Sequence, residues 1–444
     1  MIRSAILLLA VVAILDRAYP VSGEGMPFER NVAPEHFPER LKNNPGQPLD
    51  KGFLDVTKPP YNARGDGVTD DTDAIQQALD DGFEFNFVVF LPQRTYLVSH
   101  PLVCIQRAVT TEGKIAPLMP RGEAIGSQRK FGHLLVGSAL GGKRPTIKVK
   151  DGSLGDKELF FFRFQGTEAG YDASRLYIAT LRGMNIDMRG NPKAIAITID
   201  GAQHCVIEDV NIVGDFFTGV RDLPGSGGGV VNLTIHGGRV GIEQTQYRPN
   251  PTLIGVRLIG QSECGLKVTE SRGPVILVGF QITSPQSPSP DYRAVYGKNT
   301  RTIWGDHGMG NLCLIDGAIK VTGAASKAIY NYAQDFVVRN VYIKAATMIE
   351  SGLYQQPGQV VAGDPARWKK ISEYDYTSAM DKAYVYPDDR TLWHGDTDVI
   401  YQTPAVDENP PDDLVTRHTW SVMPVGRMPA SLISSKTMAP HRNT

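Results

Sequence analysis

A repeat of 23–26 residues constrains the fold of this chain more than any other feature of its sequence. Five short segments of alternating polarity carry a large aliphatic residue at the same position, at intervals of 26, 23, 23 and 24: Ile186, Ile212, Ile235, Leu258 and Ile282. A near-constant period in otherwise degenerate sequence is typical of a solenoid, in which each repeat stacks on the next. A sixth segment of the same form, NVYIK from Asn340, follows a longer insertion.

Each of these strands is followed by a second one, and side-chain alternation predicts the residues of the second strands that face inward: Ile197, Val220, Ile242 and Leu266. Parallel strands need both faces covered or a closed interior, and a β-helix provides the latter. An antiparallel sandwich would need hairpin turns every 8–12 residues. The sequence lacks that rhythm, which favours an all-β parallel β-helix.

The chain divides into four parts. Residues 1–23 have the form of a signal peptide, with Arg3, an apolar run of 11 residues (Ala5–Leu15) and a small residue, Gly23, at the end. That run is too short to span a bilayer, so we expect a secreted, periplasmic or extracellular protein without a membrane span. Residues 24–52 form an N-terminal extension, 53–353 the parallel β-helix, and 354–444 an irregular C-terminal segment that we expect to cover the last coil.

Charge and cysteine content narrow the class of protein. Lys and Arg number 46 and Asp and Glu 47, so no global charge would attract nucleic acid. Cys104, Cys205, Cys264 and Cys313 are widely spaced and match neither a compact disulfide framework nor a metal site. Buried free thiols are the preferred interpretation, with a disulfide as the alternative; the oligomeric state is left open.

The segment Arg64–Leu79 (RGDGVTDDTDAIQQAL) combines a Gly/Asp turn with a short amphipathic helix that places Ile75, Ala78 and Leu79 on one face. This string, with the following FLPQRTYLV, resembles the opening segment of pectate-lyase-like proteins of the rhamnogalacturonase and epimerase-like group. The resemblance covers roughly Phe53 to Ser351. It implies a single-stranded right-handed parallel β-helix with an N-terminal capping helix and an irregular C-terminal tail. The stretch Gly219–Gln246 resembles more specifically the exo-β-1,3-glucanases, which are built from two such helices, whereas this chain has the repeats of one.

The resemblance also directs attention to the second strands, near which relatives of the polygalacturonase type carry their catalytic groups. The outward residues Arg221, Glu243 and Lys267 occupy three consecutive coils. Hydrolysis of a glycosidic bond needs two carboxyl groups, about 5–5.5 Å apart for retention or about 6.5–9.5 Å apart for inversion. The predicted site therefore has Glu243, Glu263 and Asp222 as catalytic candidates and the following residues as binding candidates: Arg221, Arg239, Lys267, Tyr247 and Trp304.

We expect this protein to be a glycoside hydrolase acting on a polysaccharide without a metal or cofactor. The first alternative is a polysaccharide lyase, in which Arg239 or Lys267 is the base and Ca²⁺ is a possible requirement. The second is a non-catalytic glycan-binding β-helix. Arg221, Glu243 and Lys267 would then form a solvated salt-bridge ladder, and the outward residues Asp187, His236 and Arg257 of the first strands also read as solvated surface.

Overall fold

The computed structural model describes residues 37–419, apart from residues 45, 110–115, 119–127, 130–131, 140–141, 168–169, 172–174, 226, 247–249, 272–273, 299–311, 333–335, 352–358 and 378–398. The predicted signal peptide and residues 24–36 of the N-terminal extension lie outside this set. The described chain has two α-helices, α1 (Glu39–Lys42) and α2 (Thr72–Phe85), and two 3₁₀ helices, Leu49–Lys51 and Thr416–His418.

Its strands form a 16-stranded first sheet, an 11-stranded second sheet and one isolated pair. The first sheet contains β1 (Phe53–Asp55), β2 (Asp66–Asp70), β3 (Val88–Leu91), β4 (Thr95–Val98), β8 (Leu134–Gly137), β9 (Thr146–Val149), β12 (Thr180–Asp187), β14 (Val206–Gly214), β16 (Gly229–Gly237), β18 (Thr252–Ile259), β20 (Val275–Thr283), β22 (Leu312–Lys320), β24 (Phe336–Lys344), β27 (Lys369–Thr377), β28 (Val399–Gln402) and β29 (Val406–Asp407). The second sheet contains β5 (Leu102–Gln106), β10 (Glu158–Thr167), β11 (Gly170–Tyr171), β13 (Asn191–Ile199), β15 (Phe216–Arg221), β17 (Val240–Gln244), β19 (Cys264–Val268), β21 (Arg293–Gly297), β23 (Lys327–Asn331), β25 (Thr347–Ser351) and β26 (Gln359–Ala362). The isolated pair is β6 (Ala108–Val109) with β7 (Gln128–Arg129).

The predicted parallel β-helix is confirmed. From β12 to β25, each coil contributes one strand to the first sheet and the next strand to the second, and both sheets pair in parallel from coil to coil. The predicted inward residues stack in register: Ile186, Ile212, Ile235, Leu258 and Ile282 in the first sheet, and Ile197, Val220, Ile242 and Leu266 in the second. All nine are at most 1% exposed, so these two stacks form the axis of the core.

The sequence analysis did not identify one of the coils. Ile319 of β22 pairs with Ile282 on one side and Ile343 on the other, so the coil between the fifth and sixth predicted repeats is complete. The interval from Ile282 to Ile319 is 37 residues because longer connections flank β21. The strand order is unchanged by this extra length.

Every first-sheet strand from β12 to β24 bends at one residue whose φ lies between 52° and 71°, in the left-handed region. The register puts these corner residues one above the other: Gly183, Asp209, Asn232, Gly255, Gly279, Asp316 and Asn340. Gly, Asn and Asp are the residues that tolerate this conformation best. The sequence repeat therefore begins, in each coil, at the corner of the coil.

Helix α2 closes the N-terminal end as the resemblance implied. Ile75, Ala78 and Leu79 are fully buried, and the helix contacts β1, β3, β5 and β8 of the first coils. Asp71 is the N-cap residue, but its carboxylate accepts hydrogen bonds from the backbone N–H groups of Arg64 and Gly65 at 2.6 and 2.9 Å. The capping helix is thus tied to the Gly/Asp turn that precedes it.

The described residues after 353 show no coil repeat, but they contain four strands. β26 and β27 pair antiparallel with β25 and β24, and so cover the last edge of each sheet. The chain then returns along the outside of the first sheet, where Leu414 and Trp368 pack on Ala318 and Tyr342. The 3₁₀ helix Thr416–His418 lies against β18 and β20.

All four cysteines are free, and Cys104, Cys205 and Cys264 are buried. Burial raises the pKa of the Cys205 thiol to about 12. A buried, neutral thiol packs as a small apolar side chain.

Candidate functional site

The outward residues of the second sheet form a mixed charged and aromatic ladder. The pairing register places one side chain on each successive strand from β15 to β25: Arg221, Glu243, Lys267, Tyr296, Tyr330 and Glu350. Strands in a sheet are about 4.8 Å apart, so neighbouring side chains on this ladder are within contact distance.

Glu243 occupies the centre of the charged part of the ladder. Its Oε2 lies 3.3 Å from Nε of Arg221, and its Oε1 lies 3.3 Å from Nζ of Lys267. The residue is only 7% exposed. The carboxylate is therefore held between a cation on the preceding coil and a cation on the following one.

Glu263 reaches the same lysine from the turn before β19. Its Oε1 lies 3.4 Å from Nζ of Lys267, and its Oε2 accepts a hydrogen bond from Nε of Arg239. Burial alone would raise the pKa of Glu263, but the hydrogen bond from Arg239 and the charge of Lys267 outweigh it, and the pKa lies below its ordinary value. Burial would likewise lower the pKa of Lys267, but the charges of Glu243 and Glu263 raise it instead. At neutral pH, Glu263 is ionised and Lys267 is protonated.

Arg239, Glu263 and Lys267 line a cleft of about 540 Å³ together with Arg293 and Tyr296, and Glu243 adjoins it through Lys267. Beyond the lysine the ladder becomes aromatic. The rings of Tyr296 and Tyr330 stack, with their centroids 5.2 Å apart and their planes at 9°. The ring centroid of Tyr332 lies 4.5 Å from that of Tyr330.

A single phenylalanine lies on the opposite side of the charged cluster. The guanidinium carbons of Arg239 and Arg221 lie 5.0 and 5.9 Å from the ring centroid of Phe217. Such cation–π contacts hold the two arginines over the sheet. The charged cluster of Arg221, Arg239, Glu243, Glu263 and Lys267 thus has aromatic rings on both sides.

Five of the eight predicted site residues come together in this cluster. Asp222 does not join them, because it is 1% exposed and its carboxylate is fully engaged: it accepts hydrogen bonds from the Thr245 backbone N–H and hydroxyl and pairs with Arg163 at 3.2 Å. It is a buried supporting residue. Tyr247 and Trp304 lie outside the described residues.

The sequence analysis missed Phe217, Arg293, Tyr330 and Tyr332. Tyr330 went unrecognised because its coil, the one that begins with β22, was not counted as a repeat. The signal was nevertheless present, since Tyr330 directly follows the inward Ile329 just as Lys267 follows Leu266. Tyr292, another aromatic residue in the lining of the cleft, is 2% exposed and belongs to the core.

Two further findings concern metals and membranes. In the described part of the chain, no group of three or more His, Cys, Asp or Glu side chains is arranged to hold a metal ion. Within the same residues, every helix is too short or too polar to cross a bilayer.

Two known proteins match about half of this chain in sequence. A glucan 1,3-beta-glucosidase of Cochliobolus carbonum is 26% identical over 224 residues, which are 46% of this chain and 25% of the relative. A non-secreted LysM effector, LysM19, of Penicillium expansum is 26% identical over 243 residues, 50% of this chain and 17% of the relative. The chain thus spans a quarter or less of the length of these relatives.

Among solved structures, the surface adhesin PfbA of Streptococcus pneumoniae is similar with a TM-score of 0.36 and 14% identity, over 68% of this chain and 81% of the adhesin. Residues 56–286, more than half of the chain, match the family described as rhamnogalacturonase A/epimerase, pectate lyase-like. The capping helix, the stacked parallel coils and this match together establish that the chain belongs to the rhamnogalacturonase A/epimerase, pectate lyase-like family.

Proposed function

We propose that this protein is a carbohydrate-active β-helix protein that binds a polysaccharide along the outer face of its second sheet and hydrolyses it there. The observation that carries the proposal is the convergence of Glu243 and Glu263 on the ammonium group of Lys267. Lys267 and Glu263 line a cleft with Tyr296, whose ring stacks on Tyr330. One oxygen of each carboxylate lies within 3.4 Å of the same nitrogen, which is compatible with the shorter separation that glycoside hydrolases use, about 5–5.5 Å. Family membership and the similarity to a glucan 1,3-beta-glucosidase support the same substrate class.

The charges favour hydrolysis over elimination. Elimination from a uronate needs an unprotonated base, and Lys267 is a poor one because Glu243 and Glu263 raise its pKa. Glu263, whose pKa is lowered, suits the role of the ionised carboxylate that activates water or attacks the sugar. We assign the proton-donor role to Glu243, the second carboxylate on Lys267. Glu243 contacts both Arg221 and Lys267, so a substrate must displace one of these cations to reach the carboxyl group.

The tyrosines provide the binding platform. Sugar rings present an apolar face that packs on aromatic rings, and Tyr296, Tyr330 and Tyr332 place three such rings beside the cleft. The polar rim of Arg239 and Arg293 supplies hydrogen-bond donors for hydroxyl groups. Export of the protein, implied by the form of residues 1–23, would bring it to extracellular polysaccharides.

The test is product release from a panel of soluble polysaccharides, with reducing ends and the absorbance of unsaturated uronates measured in parallel. Hydrolysis predicts reducing ends without unsaturation, and a loss of at least about 100-fold in rate for Glu243→Gln and for Glu263→Gln. Glu350→Gln is the matched control, since Glu350 is on the same ladder but pairs with Lys327, 3.0 Å away and outside the cleft. Unsaturated products would show that the reaction is elimination and not hydrolysis. Full activity of both variants would show that Glu243 and Glu263 are not the catalytic residues.

One observation favours a second function, glycan binding without cleavage. Both carboxylates are already neutralised by cations, as in a structural salt-bridge network. Binding that is retained without any product, and lost in Tyr330→Ala but not in Glu263→Gln, would establish that function instead.

A further inference from the structure

A second, chemically different ladder lies on the outer face of the first sheet. Seven consecutive rungs carry outward side chains of amide, hydroxyl or guanidinium type: Thr95, Thr146, Asn185, Asn211, Thr234, Arg257 and Gln281. We call this the polar ladder. At about 4.8 Å per rung it extends over about 29 Å, the length of several sugar residues in an extended chain.

Its hydrogen-bonding groups are largely unused. Asn211 Nδ2 donates to Asn185 Oδ1 at 3.0 Å, which leaves the Asn185 amide N–H groups and the Asn211 carbonyl oxygen without a protein partner among the described residues. In the same residues, the hydroxyl groups of Thr146 and Thr234 have none either. Clefts of about 430 and 550 Å³ lie over this part of the face, and Asn185 and Asn211 line both.

Arg257 is the exceptional member of the polar ladder. It is partly buried, and burial lowers its pKa below the ordinary value. Within the described chain its guanidinium has no ion pair, whereas Arg182 and Arg339 on the same sheet, and Arg189 in the turn after β12, all have acidic partners. A partly desolvated guanidinium without a counter-charge gains most from an anionic ligand, because the cost of its desolvation is already present.

The surrounding surface is also positive. The neighbouring ladder on the same face carries Lys148, His236, Lys320 and Lys344. Asp187 of that ladder is 7% exposed and binds Arg189 through both oxygens. The expectation that Asp187 is solvated is therefore wrong, and its charge is unavailable to oppose an anion. Asp66 and Asp70 of β2 begin the polar ladder and the neighbouring ladder, six rungs before Arg257.

The chemistry of the ladder changes where the protein covers it. On the two rungs after Gln281 the outward residues are Ala318 and Tyr342, which lie under Leu414 and Trp368 of the C-terminal segment. Leu414 and Trp368 thus cover the rungs of Ala318 and Tyr342, whereas on β18 and β20 the same segment contacts the corners Gly255 and Gly279 through Thr419 and His418.

We propose that the polar ladder is a second glycan-binding groove, which takes a linear acidic polysaccharide and fixes one carboxylate or sulfate group on Arg257. The amides and hydroxyls of the ladder hydrogen-bond the sugar hydroxyls, and the guanidinium binds the acidic group through two N–H donors. The lack of aromatic rings on these seven rungs separates this groove from the tyrosine platform of the second sheet. The proposal does not depend on cleavage at Glu243 and Glu263.

The experiment is isothermal titration of the full chain with three soluble oligosaccharides: an oligogalacturonate, a sulfated glucan fragment and a neutral β-glucan fragment. We expect Arg257→Gln to weaken binding of an acidic oligosaccharide at least tenfold and to leave the neutral one unchanged. Arg339→Gln is the matched control, because Arg339 is on the same sheet but already pairs with Glu373 at 2.7 Å. Tyr330→Ala distinguishes binding at the second-sheet cleft from binding at the polar ladder. It should weaken the former and leave the Arg257-dependent binding intact.

A second variant protects the test against misfolding. Thr234→Glu places a carboxylate on the rung next to Arg257, where it would pair with the guanidinium and repel the ligand. It should abolish acidic binding without loss of thermal stability. Tighter binding of the oligogalacturonate would identify a carboxylate as the group bound by Arg257, and tighter binding of the sulfated fragment would identify a sulfate. Equal binding by the wild type and both variants, or no preference for an acidic over the neutral oligosaccharide, would overturn the proposal.

Discussion

His418 Nε2 lies 2.8 Å from Asp316 Oδ2, although the two residues are 102 positions apart. Asp316 is one of the left-handed corner residues, and its other carboxylate oxygen accepts a hydrogen bond from Nδ2 of Asn340 on the next corner. Arg417 approaches the same Oδ2 at 3.4 Å. The C-terminal segment is therefore attached to the line of corners, and not only to the last strand.

Removal of this attachment should destabilise the tail. We expect His418→Ala to lower the free energy of unfolding by about 1 kcal/mol, the usual contribution of a partly exposed hydrogen bond between side chains. Urea denaturation measures the change. Asp412→Ala, an exposed position in the same segment, is the control and should be neutral. Equal stability of His418→Ala and the wild type would show that apolar packing of Leu414 alone holds the tail.

Gly279 and Gly260 allow steric and conformational effects to be separated. Both have positive φ, +62° and +76°, so alanine at either position should cost about 1–2 kcal/mol in backbone strain. A Cβ at Gly279 would also lie 2.5 Å from Cδ2 of His418, whereas at Gly260 it would meet nothing within 4 Å. Gly279→Ala should therefore destabilise more than Gly260→Ala and should expose Arg417 to limited trypsin cleavage. Equal losses and equal cleavage would contradict the packing of the tail on this corner.

Asp222→Asn distinguishes a supporting role from a catalytic one. The substitution keeps the size of the side chain and tolerates the φ of 54°, but it removes the charge that faces Arg163. We expect a loss of about 1–3 kcal/mol in the free energy of unfolding. The folded fraction should keep its activity, in contrast to Glu263→Gln. A variant that is as stable as the wild type but has no activity would show that Asp222 is a catalytic residue.

The lowered pKa of Glu263 makes one contribution to stability dependent on pH. Because the carboxyl group binds its proton less readily in the folded state, its stabilising effect is complete above the ordinary pKa of 4.5 and is lost as the pH falls through the lower folded value. The stability difference between the wild type and Glu263→Gln should accordingly be present at neutral pH and vanish in acid. Thermal melting over a pH series measures it, and high salt should reduce the difference at neutral pH because Glu263 is partly exposed. A difference that grows in acid would have the wrong sign.

The fold was largely predictable because the period and the alternation report directly on geometry. The spacing of Ile186, Ile212 and Ile235 equals the number of residues in one coil. Because side chains alternate along a strand, the inward position of Ile242 makes Glu243 an outward residue. The coil of Ile319 was missed because a period measured along the chain cannot absorb an insertion of variable length.

The candidate site was predictable only at the level of the sheet face. The sequence places Asp222 directly after the outward residue Arg221, at the end of a strand. The left-handed φ at Asp222, which the sequence does not reveal, directs its carboxylate to Arg163 and Thr245. The meeting of Glu263 with Lys267 depends on the path of a turn, which sequence alternation does not determine. Arg257 read as ordinary surface because a missing counter-charge becomes visible only when the neighbouring coils are in place.

The 37-residue interval between Ile282 and Ile319 leaves the pairing of these residues intact. The extra length lies in the connections before and after β21, and each doubling of a flexible connection costs only about 0.6 kcal/mol in closure entropy. The architecture therefore separates two routes of divergence. A substitution at an inward position disturbs the rungs on both sides of it, while a lengthened connection can reshape the walls above a groove and leave the stack beneath it unaltered.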